Sequence, residues 1–441
     1  GFTANILGLQ AESAPMISLA NVQLLAVNLT GEGEAFNYES NQKFSIGKVG
    51  DISGVNTQNG TITLRSINGT ITIDEALNSG TADIKLNAQR TTVAEANLEL
   101  NASIQANNFS LIATDRIVQP AEGSQITANA LGISASNAPV LSGSSDIKVL
   151  AVNLTGAGND FVYTGVNSFT VGSVLGIDGM KVNNATIDLA TTDGNIQVDQ
   201  AVDAGSGAIL LTTAATTETV AADLILNADL IADQVTLNVQ DNIQQISGTI
   251  SANTLAISAD SVGSLNIFAA DILAARMNSG DFTVSSEQGL TVGTVEGIQG
   301  ITTVGDINLQ SDSGSILIAQ QVDAGSGAIL LNAKQAGITL ESDLIGQTIE
   351  LMSAGAINQT SGMIQTDTLA IQAGSVSTLN IAQLQTLAVT LTDLNAGFSY
   401  QASGDFDIGT IGLLQGVSTN QGNINLSSET GIITVAQSVN S

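Results

Sequence analysis

Residues Val202 to Leu211 read VDAGSGAILL, and residues Val322 to Leu331 read VDAGSGAILL again. Ten identical residues 120 positions apart mean that a unit of structure recurs along the chain. Four octapeptides mark the same unit: ANILGLQA from Ala4, ANALGISA from Ala128, ANTLAISA from Ala252 and TDTLAIQA from Thr366, spaced by 124, 124 and 114 residues. A second landmark aligns without a gap as FSIGKVGDISGV from Phe44, FTVGSVLGIDGM from Phe169, LTVGTVEGIQGI from Leu290 and FDIGTIGLLQGV from Phe406. A third reads LLAVNLTG from Leu24, VLAVNLTG from Val149 and TLAVTLTD from Thr386, loosened to ILAARMNSG from Ile272. The chain of 441 residues therefore carries about three and a half copies, bounded at 4–127, 128–251, 252–365 and 366–441. The first copy opens at its landmark and the last stops at QSVNS, where its own VDAGSGAILL is due. The expectation is an excised or mature piece of something longer, since GFTANILGLQ has neither an initiator Met nor the make-up of a signal peptide.

Within a copy the signal is β-strand. NGTITLRSINGTITIDEALNSGTADIKL from Asn59 alternates apolar and polar residues, with Asn59-Gly60 and Asn68-Gly69 as turns that accept positive φ. ATIDLATTDGNIQVDQAVDAGSGAILL from Ala185 and GDINLQSDSGSILIAQQVDAGSGAILL from Gly305 keep the rhythm, and no stretch holds a helical period for three turns. Strands this short cannot bury a face alone, so each turn of chain must lie on the next. The fold expected is all-β, a parallel β-helix (β-solenoid), with residues 1–441 as one continuous body. At roughly 20 residues per coil it would hold roughly 22 coils. At about 4.8 Å per coil it would be an elongated rod on the order of 100 Å long.

Composition fits a narrow core. Gly is 45 of 441 residues and aromatics 3%, with no Trp, Cys or His, so Ile, Leu, Val and Ala must fill the interior. Forty acidic residues face ten basic ones, for a formal charge of −30, which argues against nucleic acid as a partner. Such acidity suits solubility, or Ca2+ bridging between chains. No apolar stretch reaches the roughly 18 residues needed to cross a bilayer as a helix.

DNIQQISGTISANTLAISA from Asp241, DRIVQPAEGSQITANALGISA from Asp115 and GAINQTSGMIQTDTLAIQA from Gly355 resemble segments of large repetitive bacterial exoproteins of the filamentous haemagglutinin type. GDFTVSSEQGLTVGTV from Gly280 and GDINLQSDSG from Gly305 resemble the same group, and the likeness covers nearly the whole chain. The resemblance implies a right-handed parallel β-helix that forms the shaft of a secreted or surface-anchored adhesin. It supplies no binding residue, and that family's amino-terminal secretion module has no match here.

Several constellations invite a chemical reading. GAGNDFVYTG from Gly156 looks like half of a calcium nonapeptide, which makes Asp160 a candidate metal ligand. No tandem partner follows and the equivalent places read GEGEAFNYES, NSGDFTVSS and LNAGFSYQA, so Asp160 is expected to have no counterpart and to belong to an ordinary turn. Asp74-Glu75, and Asp199 with Asp203, are the acidic pairs a polysaccharide-cleaving β-helix would need. Without His, and with basic residues as scattered as Arg65, Arg116 and Arg276, solvated turn acids are the commoner explanation. Thr61-Ile62-Thr63 and Thr70-Ile71-Thr72 start an ice-binding kind of row that the other copies do not continue. Tyr38, Tyr163 and Tyr400 each follow Phe36, Phe161 or Phe398 by two residues, on one face of a strand, and a stacked aromatic ladder inside or under a loop is favoured over a sugar platform. Asn28 and Asn153 lie in sequons.

The function expected is structural and not enzymatic: a segment of an extracellular fibre or adhesin shaft, secreted or at the cell surface, stacking end to end or continuing in a longer chain. The alternative is a glycan- or matrix-binding adhesin module, with a polysaccharide-degrading enzyme last.

Overall fold

The computed structural model describes residues 4–14, 22–92, 95–120, 124–141 and 146–441. Residues 121–123 of the segment from Asp115 fall outside that description. Among the described residues there is no helix, and strands pair in parallel almost throughout, which makes the protein an all-β solenoid of about 19 turns. Two units are defined, residues 1–209 with 214–221 and residues 210–213 with 222–441.

Alternation along each strand translates into columns across turns. In the first unit Phe36, Ile62, Ile84, Phe109, Leu131 and Leu150 are register neighbours on successive strands, and so are Tyr38, Leu64, Leu86, Leu111, Ile133 and Val152. All twelve are at most 2% exposed. The second unit repeats the pattern with Phe282, Ile307, Ile329, Ile349, Leu369 and Leu387, and with Val284, Leu309, Leu331, Leu351, Ile371 and Val389. Burying each such side chain stabilises by about 1.5–3 kcal/mol, which offsets the roughly 1–2 kcal/mol of backbone entropy lost per residue. Intervening residues point outward, as in the burial pattern of Phe36–Ser40, where only Asn37 and Glu39 are exposed.

Register partners on successive turns lie from 17 to 28 positions apart. Turns longer than 20 residues are why the coils are fewer than a uniform 20 residues would give, and those of 28 residues in copies one, two and four and of 26 in copy three are of one kind. They carry an inserted antiparallel hairpin, the structure of the FSIGKVGDISGV landmark. In copy one the hairpin is Lys48–Val49 with Ile52–Ser53, and its counterparts are Ser173–Val174 with Ile177–Asp178, Thr294–Val295 with Ile298–Gln299, and Thr410–Ile411 with Leu414–Gln415. Each leaves the coil between two glycines whose backbones are bonded, Gly54 N–H to Gly47 C=O at 3.0 Å, Gly179 to Gly172 at 2.9 Å, Gly300 to Gly293 at 2.8 Å and Gly416 to Gly409 at 2.8 Å. The two-residue tips follow the position of their glycine. Leu175-Gly176 and Glu296-Gly297 have positive φ at both residues, as a type I′ turn requires, whereas Gly50-Asp51 and Gly412-Leu413 have it only at the leading glycine, as in type II′.

Each hairpin folds over outward positions occupied by the smallest residues in their column. Val174 and Ile177 pack on Ala130 and Ala151, Val295 on Ala256 and Ala274, and Ile411 on Ala370 and Ala388. In copy one Val49 lies against Gly8. This is why Leu25, Ala26 and Val27 are all fully buried although strand alternation should turn one of them to solvent.

Candidate functional site

The outer corners of the turns hold most of the residues that invite a chemical reading. There the chain leaves one strand, and the amide of the next turn loses its ladder partner; a carboxylate or amide oxygen from the turn before takes its place. Asp160 Oδ1 accepts from the Thr186 N–H at 2.7 Å. Asp281 Oδ1 accepts from Asp306 N–H at 2.9 Å, and Asp306 Oδ1 accepts from Ala328 N–H at 2.7 Å. Asp343 does the same for Met363 at 2.8 Å, and Asp405 for Ile432 at 2.7 Å. Asn59 and Asn184, both at positive φ, cap the Thr81 and Ser206 amides at 3.0 Å.

The structure thus places Asp160 in a turn and corrects one expectation about it. Asp160 does have a counterpart: Asp281 stands one residue before Phe282 as Asp160 stands before Phe161, with the same bond to the next turn. No three acidic side chains converge as a metal-binding group among the described residues. Asp160→Ala is expected to lower stability by about 1 kcal/mol, the typical worth of one such bond. Urea melts of the two proteins side by side check this, and equal midpoints would deny the capping role.

Each member of the two acidic pairs is engaged by a different partner. Asp74 accepts from Asn101 at 2.8 Å on one neighbouring turn, while Glu75 accepts from Ser53 Oγ at 2.8 Å, on the hairpin. Asp203 holds Lys181 at 2.7 Å, and Asp199 accepts from Gln197 at 2.8 Å. Arg65–Glu39 at 2.8 Å, Arg90–Asp115 at 3.1 Å and Lys334–Asp312 at 2.8 Å likewise tie neighbouring turns. The Lys334 ammonium holds the Asp312 carboxyl below its usual range. The threonines form no array: Thr63 lies between Asn37 and Lys85, and Thr72 between Ser45 and Glu99. Asn28 and Asn153 are half-buried within strands Leu24–Glu32 and Val149–Ala157.

The aromatic residues do lie toward the interior, but they form corner pairs and not a ladder. Tyr38 meets Phe44 edge to face at 5.0 Å between ring centres, Tyr163 meets Phe169 at 5.1 Å and Tyr400 meets Phe406 at 5.2 Å. Each pair closes the corner just before a hairpin turn, and the Tyr38 hydroxyl donates to Val22 C=O at 3.4 Å. Burial pushes all three phenols up, that of Tyr163 to about 12. A phenol whose folded pKa is raised contributes stability that is complete below its unfolded value and is lost as pH rises through the folded one. Spectrophotometric titration should therefore show less than half of the tyrosine ionised at pH 10.0, the ordinary midpoint, and stability should decline from there as pH rises through the raised midpoints, that of Tyr163 at about 12. Half-ionised tyrosine at pH 10.0 in the folded protein would contradict the buried corners.

One surface feature recurs with the repeat. An open polar groove in the first unit is lined by Lys43, Phe44, Thr72, Glu95, Asn97 and Glu99. A second, at the equivalent place in copy two, is lined by Ser168, Phe169, Asn195 and Gln197 with Asp146 and Lys148.

Stacked parallel turns, interior aliphatic columns and capped corners define a β-solenoid repeat protein. No protein-family model, no curated protein and no solved structure matches the chain.

Proposed function

We propose that the chain is a structural segment of an extracellular fibre or adhesin shaft, secreted or displayed at the cell surface, and that it is not an enzyme. The observation that supports this most is the use made of its polar side chains. Asp74 and Glu75 bond Asn101 and Ser53 on neighbouring turns, Asp203 pairs with Lys181, and corner carboxylates such as Asp160 and Asp306 cap amides of the next turn, so much of the acidic surface holds the stack together. Parallel backbone pairing along an axis resists bending and proteolysis, which is what a shaft needs. The excess of carboxylates keeps neighbouring fibres apart or lets Ca2+ bridge them, and it disfavours nucleic acid. Its partners on this reading are further turns of the same kind, in the same polypeptide or in another subunit. The likeness to filamentous-haemagglutinin exoproteins noted in the sequence supports the same role. Electron micrographs of native material should show thin fibres; compact isolated particles would overturn the reading.

A second reading has the recurring groove in its favour. Amide, hydroxyl and carboxylate groups over a phenylalanine, repeated in copies one and two, are suited to hydrogen-bonding a glycan chain. A saturable hit on a glycan array, lost in Lys43→Ala, which removes an exposed side chain of the groove, would promote a glycan- or matrix-binding module over a plain shaft.

A further inference from the structure

Strands of a solenoid touch the turn below and the turn above, so stability is a sum over neighbouring pairs and the stack can fray one turn at a time. The hairpins reach farther. Glu296, at the tip of the copy-three hairpin, accepts from Gln234 Nε2 at 2.6 Å across 62 positions. Gln234 is in register with Thr254, and Thr254 with Ile272, so the hairpin spans three successive turns. Along the way Val295 packs on Ala274 and Ala256. The copy-two hairpin does the same. Val174 and Ile177 cover Ala151 and Ala130, and Ile112 from the turn before joins the cluster. Ser110, an outward residue in register with Gly132 and through it with Ala151, is only 2% exposed. In copy four the tip glycine, Gly412, lies beside Glu350, and Glu350, Ala370 and Ala388 are register neighbours. In these three copies the lowest strand touched belongs to the copy before.

The column under each hairpin is shaped to receive it. A Cβ on Gly132 would press on Val174 C=O at 3.0 Å and on Ile177 Cδ1 at 3.2 Å. Two or three turns lower in the same column stand Lys85 and Thr63, over which no hairpin lies.

We propose that the hairpins of copies two, three and four are clasps: each joins three turns into one cooperative block and couples its copy to the one before, so that the solenoid opens in clasped blocks and not turn by turn. The clasp always comes from chain that follows the strands it covers. A block is therefore closed only once the hairpin after it has formed. This does not depend on the function proposed above.

Hydrogen exchange read by mass spectrometry on the full chain tests it. Two variants loosen the copy-two clasp without touching the interior columns. Gly132→Leu wedges it from below, and the double change Val174→Asn with Ile177→Asn strips its apolar underside. The expected result is exchange at least tenfold faster in strands Asn108–Ala113, Ala130–Ala135 and Val149–Ala157, with Ile62–Ser66 at its wild-type rate. Unchanged protection in the stripped variant would overturn the clasp, and so would equal acceleration of every strand in the unit. Should Gly132→Leu not fold, the stripped variant decides alone, because its two changes lie on the hairpin.

Discussion

Leu309→Asp is expected to destroy the folded state of the turns around it. Leu309 is 0% exposed, with Val284 below and Leu331 above in its column, so a carboxylate there meets only hydrocarbon. Sequence offers no rescue, since no Lys or Arg lies between Arg276 and Lys334, and Lys334 is already engaged with Asp312. An uncompensated buried charge costs more than about 4 kcal/mol. Leu309→Ala, which leaves a cavity, should cost about 2–5 kcal/mol. Leu309→Met keeps the volume and should cost less than about 1.5 kcal/mol. Chemical denaturation of the three variants gives the order directly. A Leu309→Asp protein as stable as Leu309→Met would mean that the column is not dry.

Gly300→Val is the second large effect. Gly300 has φ +68°, and a Cβ there would collide with the backbone of Gln321 on the adjacent turn. The left-handed conformation costs a β-branched residue about 1–3 kcal/mol, and forcing the two backbones apart adds about 1–3 kcal/mol. Gly297, three residues earlier at the hairpin tip, supplies the control. Its φ is +77°, but nothing stands within 4 Å of the Cβ position, so Gly297→Ala should cost only about 1 kcal/mol. Thermal melts of the pair separate backbone strain from collision. Equal midpoints would show that the neck does not need the close approach.

These two residues also show how far the sequence could be read. Leu309 sits in a period-two run, GDINLQSDSG, whose alternation announces its inward face, and the repeat of such runs announces stacking. Gly300 belongs to a landmark that aligns in all four copies, yet its meaning lies in a contact with a residue one turn on, which alternation does not report. The hairpin went unread for a related reason. Its strands are two residues each, too short for a period, and its only local mark is a pair of glycines at 47 and 54 and at their equivalents, with a third at either place of the two-residue tip. The triplets LAV, LGI and LAI in the other two landmarks carried the complementary sign, three successive buried residues where a one-sided strand allows two. Asp160 shows a different limit. A glycine- and aspartate-rich string looks the same whether its carboxylate faces a cation or the amide of the next turn, and only the fold brings Thr186 N–H within 2.7 Å. The acidic excess becomes intelligible in the same way, through corners that need acceptors.

That successive turns lie on one another in a fixed register is the claim beneath all of this, and a chain without cysteine lends itself to a clean trial. Thr63 and Lys85 are direct register partners on the outer face of strands Ile62–Ser66 and Ile84–Ala88, whereas Asn87 lies two residues farther along the same strand. Parallel neighbours stand about 4.8 Å apart, within disulfide reach, and a two-residue offset puts the Cα atoms about 8 Å apart, beyond it. Under mild oxidation Thr63→Cys with Lys85→Cys should close a disulfide readily, and Thr63→Cys with Asn87→Cys should not. No bond in the first pair, or equal bonding in both, would contradict the stacked solenoid.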